Sequence, residues 1–303
     1  MLRASIDLGT NTCLLLLSDW DEKSRQVTRT VSDHSTVVRL GQGVDRDREL
    51  HPDAVARTLA CLKSYSDKVK AVGLKPEQAL CVATSQARDA RNGTEFFSRV
   101  KAETGFEFQT ITGDQEAQFT FLGGLLPGMK PEDHSVVDIG GGSTELMSSA
   151  GGLSIDVGSV RMTERFLKSD PVTDEEFWAC QDSIDELLSK AVHWRETTPA
   201  KSQLVAVAGT ATTLAAWHAE LTQFDATRID QVVLTRGDVH RMVEELKWRT
   251  VAERKEITGI EEGRADVLLA GSLILWRAME LLHFKECHVS SRGLRYGILN
   301  LGE

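Results

Sequence analysis

Apolar positions recur along the chain with the two periods that mark strands and helices. Leu2–Ile6 predicts a first strand and Asp7–Thr12 a glycine-containing turn. Cys13–Leu17 is too apolar to face water on either side, which predicts a central strand. Pro52 then sits at a first-turn position, with Val55, Leu59, Leu62, Val69 and Val72 at helical spacing until Gly73 ends the run. Ala79–Thr84 predicts a short strand and Asn92–Thr104 a helix. The opening pattern then returns: Ser135–Val137, the turn Asp138–Thr144 and the strand Glu145–Met147. Asp7-Leu8-Gly9-Thr10-Asn11-Thr12 and Asp138-Ile139-Gly140-Gly141-Gly142-Ser143 are variants of one pattern, about 130 residues apart. That weak repeat predicts two similar α/β domains facing each other.

The second half is richer in helix. Thr173 and Glu176 form a capping-box pattern before an amphipathic run through Phe177, Ile184, Leu188 and Val192. Leu204–Ala208 predicts a strand leading into Gly209-Thr210-Ala211-Thr212-Thr213 and a helix. Thr250 and Glu253 repeat the capping-box pattern, Arg264–Leu282 reads as a long buried helix, and Cys287–Ser290 as a last strand.

Composition narrows the class. A chain of 303 residues is long enough for about two domains. With 35 Lys and Arg against 45 Asp and Glu, the net charge is −10, a poor match to nucleic acid or a membrane surface. An anionic ligand would need positive charge concentrated locally. The five cysteines, an odd number without a CxxC pair, indicate neither a disulfide framework nor a zinc site. The N-terminus reaches Asp7 too soon for a secretory leader, and Val267–Trp276 is too short for a membrane span. The expected location is the cytoplasm. The six tryptophans are scattered and read as core.

Three turns that join glycine to hydroxyl residues each follow a predicted strand, at 7–12, 138–144 and 209–213. Glycine admits close backbone approach, and N–H groups with Ser and Thr hydroxyls make an anion cradle. The plainer reading of Gly140–Gly142 is a tight hairpin needing positive φ. Asp7 and Asp138 open the matching turns, where a carboxylate suits hydrated Mg²⁺ or, more plainly, an Asx turn. Glu116 opens a predicted helix, where an acid commonly complements the dipole. Glu145 directly follows the second glycine turn. Two carboxylates near a phosphate can orient and deprotonate a water. Arg88, Arg161, Arg292 and Arg295 are candidates for phosphate oxygens, against the plainer reading of solvated surface charges. No GxSxG, P-loop or HExxH pattern occurs.

Together these segments resemble the exopolyphosphatase/guanosine pentaphosphate phosphatase family of the actin and sugar-kinase superfamily. IDLGTNT, VATSQAR, TGDQEAQ, DIGGGSTEL, VGSVRMTE, AGTATTLAA and SSRGLRYGIL carry the likeness, in that order, over nearly the whole chain. The resemblance implies an α/β fold of two ribonuclease-H-like (actin-like ATPase) domains with the active site in the cleft between them. Expected boundaries are 1–122 plus 291–303 for the first domain and 123–290 for the second. It implies hydrolysis of the terminal phosphate of inorganic polyphosphate. The alternatives are removal of the 5′ phosphate of guanosine pentaphosphate (pppGpp to ppGpp), or a non-catalytic phosphate or alarmone sensor.

By the same resemblance Glu116 would be the general base, with Glu145 assisting the water or the metal. Asp7, Asp138 and Glu145 would hold Mg²⁺, with Mn²⁺ as a substitute and a monovalent cation such as K⁺ as an option. Thr10, Asn11, Gly140, Gly141, Gly142, Ser143, Arg88, Arg161, Thr210 and Arg292 would bind phosphate. Gln115 and Gln118 depart from the family's Glu and Arg. The chain resembles the family's short form, for which the C-terminal helical domain of long members is not expected. The expected assembly is a homodimer.

Overall fold

The computed structural model describes residues 1–84 and 90–301. The chain divides into two compact units, Met1–Gly123 with Leu294–Glu303, and Gly124–Gly293. The first carries β1 (Leu2–Leu8), β2 (Thr12–Asp21), β3 (Gln26–Val37), β4 (Leu80–Ala83) and β5 (Phe108–Thr110), in the order β3-β2-β1-β4-β5. β1, β2 and β3 pair antiparallel, whereas β4 and β5 run parallel to β1. The second carries β6 (His134–Ile139), β7 (Thr144–Ser148), β8 (Gly151–Ile155), β9 (Gln203–Val207), β10 (Val233–Thr235) and β11 (Glu286–Val289). Its order is β8-β7-β6-β9-β11-β10. Three antiparallel strands are again followed by two parallel ones, with β10 added antiparallel at the edge. The repeat in the sequence is therefore a repeat of topology, and each unit has the expected ribonuclease-H-like arrangement.

β2 is second from the edge rather than central. It is apolar because both its faces are covered. Cys13, Leu15 and Leu17 pack with Leu59, Leu62 and Tyr65 of the helix Pro52–Ala71. Leu16 and Trp20 pack with Tyr296 and Leu299 of the returning C-terminal segment. β3 outside it was not foreseen, because its largely exposed, polar sequence lacks a clear alternation. The return segment is tied down by Ser5, whose hydroxyl donates to the Arg295 carbonyl at 2.6 Å. Arg295 places its fork on Asp33 at 2.9 and 2.7 Å, so this arginine fastens the segment and is not available as a phosphate ligand.

In the second unit both capping boxes form. Thr173 and Glu176 open the helix Asp174–Leu188, and Thr250 and Glu253 open Val251–Lys255. The first run breaks after Leu188 at a tight 3₁₀ turn, and a new helix, Val192–Thr197, leaves Val192 exposed rather than in the core. The long buried helix is Leu268–Leu281, preceded by a 3₁₀ turn at Glu262–Arg264. It is apolar all round because it packs against Ser159–Phe166, Asp174–Leu188, Ala208–His218 and Arg236–Lys247.

Trp178 and Trp248 are exposed, contrary to the core expectation. Their rings lie against the Lys247 ammonium, which also touches Phe177 and pairs with Asp174 at 2.7 Å. All five cysteines are free and buried. Among the described residues no helix is long and apolar enough to cross a membrane.

Candidate active site

β6 and β7 pair in the register Asp138↔Glu145 and Ile139↔Thr144. Directly opposite residues of antiparallel strands project from one face, with Cβ atoms about 5 Å apart. Both carboxylates are buried, Asp138 at 9% and Glu145 at 2% exposure. β8 extends the row with Ser154 opposite Glu145, and the Ser154 hydroxyl donates to Glu145 Oε1 at 2.7 Å. Like charges set opposite each other and desolvated oppose folding. The first sheet supplies an internal control: Asp7 occupies the place of Asp138, but Leu14 stands opposite it. The framework thus accepts leucine where the second unit keeps a carboxylate.

The turn between β6 and β7 is equally specific. The Gly140 N–H donates to the Ser143 carbonyl at 3.0 Å, as the Gly9 N–H does to Thr12 at 3.0 Å. The Gly140 carbonyl accepts from the Ser159 N–H at 2.9 Å, and the Gly141 carbonyl from Val160 and Arg161 at 2.9 and 3.0 Å. All three donors lie in the first turn of the helix Ser159–Phe166. Within a planar trans peptide, a carbonyl and the next N–H point opposite ways. The N–H groups of Gly141 and Gly142 are therefore turned away from that helix, and no acceptor among the described residues takes them. Two such donors make an anion cradle. Gly140, Gly141 and Gly142 have no positive φ, so left-handed backbone is not the reason for glycine. The turn is closely backed by Gly158, on which a Cβ would stand 2.5 Å from the Gly141 carbonyl and from the carbonyl carbon of Gly142. In the first unit the Thr10 and Asn11 carbonyls are likewise taken, by Gly41 at 2.8 Å and by Val38 and Arg39 at 2.9 Å.

Arg161 is buried in the first turn of Ser159–Phe166, where a cation opposes the helix dipole and the turn itself holds no acidic residue. Its Nη1 lies 3.4 Å from Asp156. A bound anion at the adjacent glycine turn would give this placement an electrostatic reason. Glu116 is buried in the first turn of the helix Gly113–Gly124. Its neighbour Gln115 completes a capping box: its N–H donates to Thr112 Oγ1 at 3.2 Å, and its Oε1 accepts from the Thr112 N–H at 3.0 Å. An amide performs that role as well as a carboxylate. Gln118 is exposed.

Asp7 is half-buried near the end of β1, in the first unit with Glu116, Thr10 and Asn11. Thr210 packs against Gly271, whose Cβ position its side chain fills. Arg292 lies in a turn held by its own N–H on Ser290 Oγ at 3.2 Å and by Ser291 N–H on Asp230 at 2.6 Å. Arg88 lies outside the described residues.

Two residues escaped the sequence reading. The Arg264 guanidinium fills the space of a Cβ on Gly209, and its Nε pairs with Glu261 at 2.9 Å. Nothing in a single sequence links positions 264 and 209. Ser154 was accessible in principle: a two-residue turn at 149–150 pairs 148 with 151 and hence 145 with 154.

The second of two units of one topology thus sets two outward-turned N–H groups beside opposed buried carboxylates, an arrangement suited to a phosphoryl group. The model of the Ppx/GppA phosphatase family matches residues 21–301, and the chain belongs to that family. It is thereby a phosphoanhydride hydrolase by class. It is 34% identical over 283 residues to exopolyphosphatase 2 of Mycobacterium tuberculosis, covering 90% of this chain and 88% of that protein. It is 30% identical over 286 residues to a bifunctional 3-dehydroquinate synthase/phosphatase of Fusobacterium nucleatum. That match covers 90% of this chain and only 42% of the larger protein. Among solved structures, the Aquifex aeolicus PPX-GPPA enzyme aligns with a TM-score of 0.79 at 32% identity, over 99% of this chain and 98% of that one.

Proposed function

We propose that the protein is a Mg²⁺-dependent exopolyphosphatase. Water attacks the terminal phosphorus of inorganic polyphosphate, the bridging P–O bond breaks, and orthophosphate leaves a chain one phosphate shorter. The observation that carries this reading is the buried Asp138–Glu145 pair, retained where the same framework elsewhere holds Leu14.

The donor set suits Mg²⁺. It offers hard carboxylate oxygens, and a divalent cation would relieve the repulsion between them. Among the described residues no cluster of three or more His, Cys, Asp or Glu forms a complete metal cage. Mg²⁺ commonly takes one or two carboxylates, with waters and substrate phosphates completing its shell. Asp138 and Glu145, together with Asp7, would hold it. When bound, the ion neutralises phosphate charge and polarises the terminal phosphoryl group.

The remaining work falls to the chain. The N–H groups of Gly141 and Gly142, with Ser143, orient the terminal phosphate, where charge develops on its oxygens, and Gly140, its own N–H and carbonyl engaged, shapes the turn. Arg161, Arg88, Arg292, Thr10, Asn11 and Thr210 hold further phosphates. Glu116 takes the proton of the attacking water, and Glu145 helps to orient that water. Phosphoryl transfer is served mainly by positioning and charge neutralisation, which is what this set offers.

The test is orthophosphate release with Mg²⁺, using polyphosphate, guanosine pentaphosphate and ATP in parallel, with Glu116→Ala as control. Release from polyphosphate that the substitution abolishes supports the reading. Faster release from guanosine pentaphosphate favours the alarmone phosphatase. No release by folded protein moves the reading to a sensor.

A further inference from the structure

We propose that Ser154 is a positioning residue for hydrolysis, acting through Glu145; this rests on the reading above, in which the Glu145 carboxylate serves the reaction. Ser154 lies on the edge strand β8, directly opposite Glu145, and its hydroxyl donates to Oε1 at 2.7 Å. Its neighbours Leu153 and Ile155 turn to the core, whereas Ser154 is exposed on the opposite face. Its side chain therefore contributes nothing to the core, and its specific contact is with the carboxylate.

That contact has a physical task. A glutamate side chain has three rotatable bonds, and Asp138 directly opposite repels its charge. Unrestrained, the carboxylate would swing along the sheet away from Asp138. The serine hydroxyl holds one of its oxygens and so restrains that swing. Hydrogen bonds to charged acceptors are the stronger class, which suits a single hydroxyl to the role. In the first sheet Ser35 occupies the matching edge position opposite Leu14, which offers no acceptor. Serine is thus tolerated at this edge in both units, and only in the second does it have a carboxylate to orient.

The experiment compares wild type, Ser154→Ala, Ser154→Thr and Glu145→Gln, measuring melting temperature, kcat and KM for polyphosphate release. Ser154→Ala is expected to lower kcat about tenfold and leave KM within about twofold, the loss of one charge-assisted hydrogen bond that orients a reacting group. Ser154→Thr keeps the hydroxyl, and its extra methyl has room on the exposed edge, so kcat returns to within about twofold of wild type. The melting temperatures of the two Ser154 variants stay with that of wild type. Wild-type kcat for Ser154→Ala with inactive Glu145→Gln overturns the role of Ser154 and leaves that of Glu145 standing. A loss that threonine does not restore, or one that follows a fall in melting temperature, also overturns it. Full activity of Glu145→Gln overturns the underlying reading itself.

Discussion

Replacing Gly158 by alanine tests whether the glycine turn owes its shape to the helix behind it. Gly158 has extended backbone, φ −144° and ψ 160°, so alanine meets no conformational penalty there and the effect is steric. Its Cβ would stand 2.5 Å from the carbonyl carbon and oxygen of Gly141 and from the carbonyl carbon of Gly142. Ordinary carbon contacts lie near 3.5 Å, so the turn must retreat by about 1 Å. The obstacle is backbone, its Gly141 carbonyl already bound to the N–H groups of Val160 and Arg161, and no side chain can rotate aside. Overpacking of this kind costs about 1–3 kcal/mol. For a unit the size of Gly124–Gly293, each kcal/mol lowers the melting temperature by about 2–4 °C. A retreat of about 1 Å by the N–H donors should lower kcat about 100-fold. The assay pairs a thermal melt with orthophosphate release at saturating polyphosphate. Gly237→Ala is the control, because its Cβ would meet nothing nearer than Thr235 Oγ1 at 3.8 Å. A Gly158→Ala protein that melts and turns over like wild type refutes the steric reasoning. One that melts earlier but keeps full turnover refutes the link between the turn and the chemistry.

Other outcomes follow from the same geometry. Glu145→Gln keeps an acceptor for Ser154 but removes one of two opposed buried charges, so the melting temperature should rise, by about 1 kcal/mol of stability, while orthophosphate release is lost; a destabilised variant counts against the row as a functional liability. Gln115→Glu should leave melting temperature and turnover within about twofold of wild type, whereas Gln115→Ala should lose about 1 kcal/mol of helix capping in a thermal melt. Asp238 is held below the usual carboxylate range chiefly by the Thr235 hydroxyl, which donates to it at 2.5 Å. A depressed folded pKa gives stability that is present above the ordinary aspartate range, near 3.9, and is lost as pH falls through the folded value. The difference in melting temperature between wild type and Asp238→Asn should therefore shrink between about pH 6 and pH 3, and a constant difference refutes the assignment.

Local signals were legible in the sequence. The Thr173–Glu176 and Thr250–Glu253 boxes and the proline and glycine bounding the helix Pro52–Ala71 depend on residues within a turn or two of each other. The strands β3, β8 and β10 were not legible. β3 is an edge strand whose polar, largely exposed sequence hides alternation, β8 alternates but has only five residues, two of them glycine, and β10 has three residues. Val192 continued the helical period, yet the backbone turns at Ser189–Ala191 and points it to solvent. At the site, Asp138, Gly140–Ser143 and Glu145 were legible because they are contiguous. That the two carboxylates oppose each other is a fact of strand register. Arg264 against Gly209 is a tertiary contact that periodicity cannot carry.

The duplication separates what the fold requires from what the proposed reaction would add. Both units place an aspartate near the end of the first strand and close the following turn with the same 3.0 Å bond, Gly9 to Thr12 and Gly140 to Ser143. Both turns have their carbonyls occupied by a later segment. These shared features belong to the framework. The occupying segment differs: in the first unit it is Val38–Gly41, and in the second it is the first turn of a helix. That helix brings its dipole and Arg161 to the second turn, and the same unit replaces the leucine opposite its aspartate with a glutamate. Each change adds charge where burial makes charge costly. An architecture selected for stability alone had a cheaper residue in Leu14, at the same register position in the same chain. Leu14 therefore measures what the framework asks of that position, and Glu145 exceeds it by one buried carboxylate, the excess on which the proposed hydrolysis rests.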